Sequence, residues 1–113
     1  MKPQRIQRRR TKGWKMPENT VSVTRPGKWG NPFVIGFYGK VWGSKGVGGY
    51  LVGKTSLPGD VYIADATIAV ELFEKWMEVA QRDYTSIRGK NLACFCPIGQ
   101  VCHADVLLKL AND

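Results

Sequence analysis

All three cysteines and the only histidine of this chain fall within ten residues, Cys94-Phe-Cys96-Pro-Ile-Gly-Gln-Val-Cys102-His103. The segments flanking this cluster restrict the fold strongly, because they follow two different periodicities. Asn91 to Cys96 is a short apolar run suited to a buried strand, and Pro97 to Gln100 supplies turn residues. Val101 or Cys102 then opens a stretch that carries Val106, Leu107, Leu110 and Ala111 on one helical stripe. A strand leading through a tight turn into a helix is the building unit of α/β folds. In such folds binding sites form at the carboxyl ends of strands, where helix N-termini present unpaired N–H groups. On the strand, alternation sends Cys94 and Cys96 to one face and Phe95 to the other.

The rest of the chain agrees with a layered fold. Thr20 to Thr24 alternates β-branched and polar residues, as a half-buried strand does, and Phe33 to Tyr38 reads as a second strand interrupted by Gly36. Between them Arg25-Pro-Gly-Lys-Trp-Gly-Asn-Pro-Phe33 is framed by proline and glycine and must be a shaped loop. Asp65 is a good N-cap for a helix over Ala66 to about Arg82, with Ile68, Leu72, Trp76 and Val79 on its apolar stripe. The glycine-dense stretch 39–59 reads as loop or as a hairpin weakened by glycine. The expected architecture is a small single-domain α/β fold with a short, mostly parallel sheet and two main helices. A basic arm over 1–16 precedes the domain at 17–113, which carries the glycine-rich insertion.

Charge is distributed unevenly along these elements. Of the 17 basic side chains nine lie in residues 1–28, against the single acid Glu18, whereas residues 29–113 balance to zero. The whole net charge of +8 therefore sits in the first quarter of the chain. Fixed positive charge so concentrated draws phosphates and releases their counterions, which predicts a nucleotide or nucleic-acid partner. Arg8, Arg9, Arg10 and Lys12 are the candidate phosphate contacts of the arm, and Trp14 offers an aromatic face to a base. The opposing reading is a solvated tail.

Several classes are excluded by composition. A chain of 113 residues with 43% hydrophobic side chains can bury a core, so general disorder does not apply. No apolar run reaches the ~20 residues of a membrane helix, and no apolar segment follows the basic start as a secretory signal requires. Three cysteines without an export signal argue against a disulfide framework and for reduced, metal-bound or reactive thiols in a cytoplasmic protein. Gly48-Gly-Tyr-Leu-Val-Gly53-Lys54-Thr55 matches the letters of a phosphate loop, but Ser56-Leu-Pro-Gly-Asp60 cannot continue as the helix that such a loop needs.

The cysteine–histidine segment supports three readings. In the first, Cys102 and His103 at a helix start form a reactive or binding site, with Asp105 orienting the imidazole or complementing the helix dipole. In the second, Cys94, Cys96, Cys102 and His103 hold zinc, although the spacing C-x-C-x5-C-H is not C-x2-C and adjacent Cys102 and His103 must converge awkwardly. In the third, the thiols are packing residues, Cys94 above all.

Two blocks, Arg8 to Phe33 with its R-P-G-K-W-G-N-P-F loop and Arg88 to Leu108 with its C-x-C-P and C-H-A-D elements, resemble domain-of-unknown-function family 4326. The resemblance implies a small protein of phages or bacteria, and it implies no activity. The two signatures together suggest one cleft between the Arg25–Phe33 loop and the Cys102/His103 helix start. There Arg25 and Lys28 would hold a phosphate, Trp29 would stack on a base or ribose, and Asn31 would make a polar contact. Cys102, His103 and Asp105 would supply any hydrolase or transferase chemistry. The alternative is a non-enzymatic DNA- or RNA-binding accessory protein that uses the arm, with a structural or zinc-binding cysteine–histidine cluster.

Overall fold

The computed structural model describes residues 2–25, 27–44, 47–53 and 60–113. Among the described residues the fold is mixed α/β, with two helices and two three-stranded sheets divided between two compact units. One unit comprises residues 1–30 and 83–113, and the other residues 31–82.

In the first unit, β1 (Arg5–Gln7), β2 (Thr20–Ser22) and β6 (Asn91–Cys94) form a parallel sheet in the order β1-β6-β2. The central strand is the apolar run Asn91-Leu-Ala-Cys94, because only a strand flanked on both edges needs to be apolar throughout. Arg5, Ile6 and Gln7 pair with Leu92, Ala93 and Cys94, while Thr20, Val21 and Ser22 pair with Asn91, Leu92 and Ala93. Helix α2 (His103–Asn112) packs on β6 and β1 and buries Val106, Leu107 and Ala111. Val23, Ile87 and Leu92 are fully buried in the same unit. The charge reading assigned residues 5–7 to the basic arm; in the structure they are an edge strand.

The second unit contains β3 (Tyr38–Ser44), β4 (Val47–Gly53), β5 (Val61–Tyr62) and α1 (Ala66–Ala80). Its sheet is antiparallel in the order β4-β3-β5, with Ser44 opposite Val47 and Tyr38 opposite Gly53. The glycine-rich stretch is thus a hairpin over its described part. Residues 33–37 lie before β3, so the expected strand Phe33–Tyr38 is displaced towards the C-terminus. Gly39 carries part of the reason: a Cβ there would come within 2.7 Å of the Phe33 ring and 3.1 Å of Leu72, so the strand can run against its own core only without a side chain. Gly48 to Gly53 lie in β4, and Lys54 and Thr55 of the phosphate-loop match fall outside the described residues.

Helix α1 starts as expected, with the Asp65 carboxylate accepting the Ile68 N–H at 3.0 Å. It ends at Ala80 rather than near Arg82, because Gln81 turns left-handed at φ 47°. Its apolar face meets β3 and β4, where the rings of Phe33, Tyr50, Phe73 and Trp76 contact one another edge-on. Phe33, Phe73 and Met77 are almost fully buried, each contributing about 1.5–3 kcal/mol by transfer alone. Among the described residues no helix is long and apolar enough to cross a membrane.

Candidate functional site

Because β1, β2 and β6 run parallel, their carboxyl ends emerge along one edge of the first unit. The ladder continues one step past the strands: the Arg8 N–H donates to Cys94 O at 2.7 Å and the Val23 N–H to Ala93 O at 2.9 Å. This brings Arg8, Thr24, Phe95 and the start of α2 together from distant parts of the chain.

Arg8 is the half-buried cation of this edge. Its Nη1 donates to Ser22 Oγ at 3.0 Å and to Thr24 Oγ1 at 2.9 Å, while its buried Nε has no hydrogen-bond partner. Its guanidinium lies 4.7 Å from the Phe95 ring centroid, and that of Arg10 lies 4.3 Å from the same ring. Among the described residues neither Arg8 nor Arg10 meets a carboxylate. Two arginines held on one aromatic ring without an acid form a site of uncompensated positive charge.

The cysteines converge at the end of β6. The Sγ atoms of Cys94, Cys96 and Cys102 all lie within 4.8 Å of one another, and Cys94 and Cys102 are 2.9 Å apart. Cys102 is the N-cap of α2 in extended conformation, with no side-chain capping bond. His103 is 7% exposed; its Nε2 sits 2.7 Å from Val23 O and its Nδ1 3.8 Å from Cys102 Sγ. A carbonyl can only accept, so the proton is on Nε2 and the Nδ1 lone pair faces the sulfur.

The thiol equilibria follow from this contact. The Cys102 thiol is pushed up to about 11, first because its hydrogen bond stabilises the Cys94 thiolate and then by burial. Cys94 is lowered for the complementary reason, and burial raises Cys96. Cys102, the thiol at the helix start, is thus both 1% exposed and held protonated, and Cys94 is 2% exposed. A nucleophile needs an accessible thiolate; this cluster is better arranged to bind than to attack.

The proline-framed loop is divided between the two units. In the first, Arg25 and Lys28 are exposed, whereas Trp29 is 5% exposed and stacks on Tyr84 with centroids 5.7 Å apart. Lys28 Nζ lies 5.2 Å from the Trp29 ring, and a Cβ at Gly30 would press within 2.8 Å of the Arg25 backbone, so the loop closes tightly on itself. In the second unit, buried Asn31 donates to Ala69 O at 3.1 Å and accepts from the Phe33 N–H at 2.9 Å. Trp29 and Asn31 therefore have packing and turn-forming work within their own units.

Of the arm residues, Arg9, Arg10 and Lys12 are exposed and Trp14 is half-buried beside a turn closed by its N–H on Thr11 O. Asp105 lies in the first turn of α2 and accepts from Arg5 Nη1 at 2.9 Å. Sequence reasoning overlooked Arg5, Ser22, Thr24, Tyr84 and the part played by Phe95. Phe95 alone left a signal, since strand alternation turned it away from the thiols.

The family model described as Domain of unknown function (DUF4326) matches residues 6–113. No curated protein and no solved structure matches the chain.

Proposed function

We propose that this chain, which belongs to the DUF4326 family, binds nucleic acid through the cationic edge of its parallel sheet, with Arg8 and Arg10 on Phe95 holding backbone phosphate. The observation that carries this reading is the half-buried Arg8 guanidinium, which is oriented by two hydroxyls, has an unpartnered Nε, and has no carboxylate to neutralise it. A half-buried positive charge of this kind is stabilised by an anionic ligand. Exposed Arg9, Lys12 and Arg25 extend the positive surface within the same unit. The buried imidazole and protonated Cys102 favour binding without catalysis over hydrolysis or group transfer. In the phage or prophage setting that the family resemblance implies, such a protein would be an accessory to viral nucleic-acid metabolism.

The test is fluorescence anisotropy with a single-stranded oligonucleotide titrated at several salt concentrations. Affinity should fall steeply with salt, and Arg10→Ala should lower the slope of log K against log[salt] by about 0.7. Arg10 is the clean probe because its side chain is exposed, whereas deletion of the first twelve residues would remove β1 from the sheet. Binding of a mononucleotide but not of the oligonucleotide would favour the cleft reading with Arg25, Lys28 and His103. Absence of both would overturn the proposal.

A further inference from the structure

We propose that Cys94, Cys96, Cys102 and Nδ1 of His103 form a closed, four-ligand zinc site. It goes beyond the phosphate-binding reading and does not depend on it.

Zn–S bonds of ~2.3 Å and Zn–N bonds of ~2.0 Å arranged tetrahedrally require ligand atoms about 3.8 Å apart between sulfurs and about 3.6 Å between sulfur and nitrogen. The three Sγ atoms, all within 4.8 Å of one another, bracket that separation, and Nδ1 lies 3.8 Å from Cys102 Sγ. The adjacency of Cys102 and His103, which looked awkward in the sequence, is resolved by the backbone. Cys102 is extended at φ −149° and ψ 144° while His103 begins the helix, and with this backbone Nδ1 comes within 3.8 Å of Cys102 Sγ. Small rotations about the cysteine Cα–Cβ bonds would equalise the three sulfur separations and bring the fourth position towards His103 Nδ1, which lies outside the three-thiol group.

Two further observations point to a metal rather than to packed thiols. The first is the imidazole. Its Nε2–H donates to Val23 O at 2.7 Å. A metal-bound histidine characteristically uses its second nitrogen in this way, which fixes the tautomer and aims the other lone pair at the ion. The other nitrogen, Nδ1, lies 3.8 Å from Cys102 Sγ, on the side of the three-thiol group. The second is the convergence of three thiols from two sides of one turn, with every Sγ within 4.8 Å of the others and two of the three cysteines buried. Half-buried Cys96 provides the entry path. Four protein ligands complete the shell, so the ion would brace β6 against the start of α2.

The full chain is purified under reducing conditions with zinc and freed of excess metal, and its metal content is measured by elemental analysis. One equivalent is expected, and cobalt(II) in its place should give the intense visible bands of a tetrahedral thiolate site. Cys96→Ser, at the least buried ligand, should keep the fold and weaken zinc binding more than about tenfold in a chelator competition. His103→Ala should change the cobalt spectrum by removing the one nitrogen ligand. Metal content near zero after reconstitution, an unchanged cobalt spectrum in His103→Ala, or a Cys94–Cys102 disulfide found by mass spectrometry in the freshly purified chain would each overturn the site.

Discussion

The imidazole of His103 is tied to the backbone of Val23, 80 positions away in sequence, with Nε2 2.7 Å from the carbonyl oxygen. This bond joins the first turn of α2 to the end of β2 immediately before the proline-framed loop. Removing it leaves a buried carbonyl without its side-chain donor and a void behind fully buried Cys102 and Ala104. His103→Ala should therefore lower stability by about 2–4 kcal/mol, read as a shift in the urea midpoint with a chelator present to exclude any metal contribution. Nitrogen NMR of the unsubstituted chain, with the same chelator present, should find the proton on Nε2. A proton on Nδ1 would contradict the geometry.

Arg5 gives a prediction about a residue that composition alone placed in a solvated arm. Its Nη1 donates to Asp105 Oδ2 at 2.9 Å and to Gln100 O at 2.8 Å, and its Nη2 donates to Pro97 O at 2.8 Å. The guanidinium side chain is 7% exposed while the carboxylate is 57% exposed. The two partners should then respond unequally. Arg5→Ala strands two carbonyls of the Pro97–Gln100 turn and should cost about 2–3 kcal/mol. Asp105→Asn touches only a solvent-screened charge and should cost less than about 1 kcal/mol in thermal unfolding. Equal losses would show that Asp105 does more than complement Arg5 and the helix dipole.

This asymmetry shows which parts of the molecule were legible in the sequence. Periodicity disclosed α1, α2 and β6, because each buries one face or both, and the burial leaves a pattern within the segment itself. The convergence of Cys94, Cys96 and Cys102 was also legible, since short spacing and one turn suffice to assemble it. Arg8 on Phe95 was not. That contact requires β1 to lie parallel to β6, and a three-residue strand bearing Arg5 and Gln7 has too few positions to display alternation. Trp29 was ambiguous for a similar reason: an aromatic in a loop looks the same whether it awaits a base or stacks on Tyr84, and the partner is 55 residues away. Asn31 followed its turn chemistry, which any Asn-Pro pair suggests, but its second bond to Ala69 O depends on where α1 lies.

Asn31 itself can be tested within its unit. Its carboxamide satisfies one donor and one acceptor in a buried position, at 5% exposure. Asn31→Ala should lower stability by about 2–3 kcal/mol, because the Phe33 N–H loses its acceptor where water does not replace it. Asn31→Asp should be worse at neutral pH, since a buried carboxylate would face the Ala69 carbonyl, and it should recover partly on acidification as the acid becomes a donor. The check is guanidinium unfolding of both variants at neutral and acid pH.

Asp83 supplies a pH dependence with a defined sign. Its Oδ1 accepts from both the hydroxyl and the N–H of Thr85, opening the turn that presents Tyr84 to Trp29. The Thr85 hydroxyl first, then the Thr85 N–H, with Lys28 and Arg88 adding attraction, hold the carboxyl below its ordinary value. A carboxylate lowered in the folded state stabilises that state above the unfolded value of ~3.9 and loses the contribution as pH falls through the lowered folded value. Asp83→Asn keeps an oxygen acceptor for Thr85 and removes only the charge. The melting temperature of the wild-type chain should therefore exceed that of Asp83→Asn near neutrality, and the difference should shrink towards zero in strong acid. Because the group is exposed, high salt should shrink it too at neutral pH, through screening of Lys28 and Arg88. A difference that is constant across the acid range, or that grows as pH falls, would mean that the Thr85 bonds do not favour the ionised form and that the turn is held by its backbone alone.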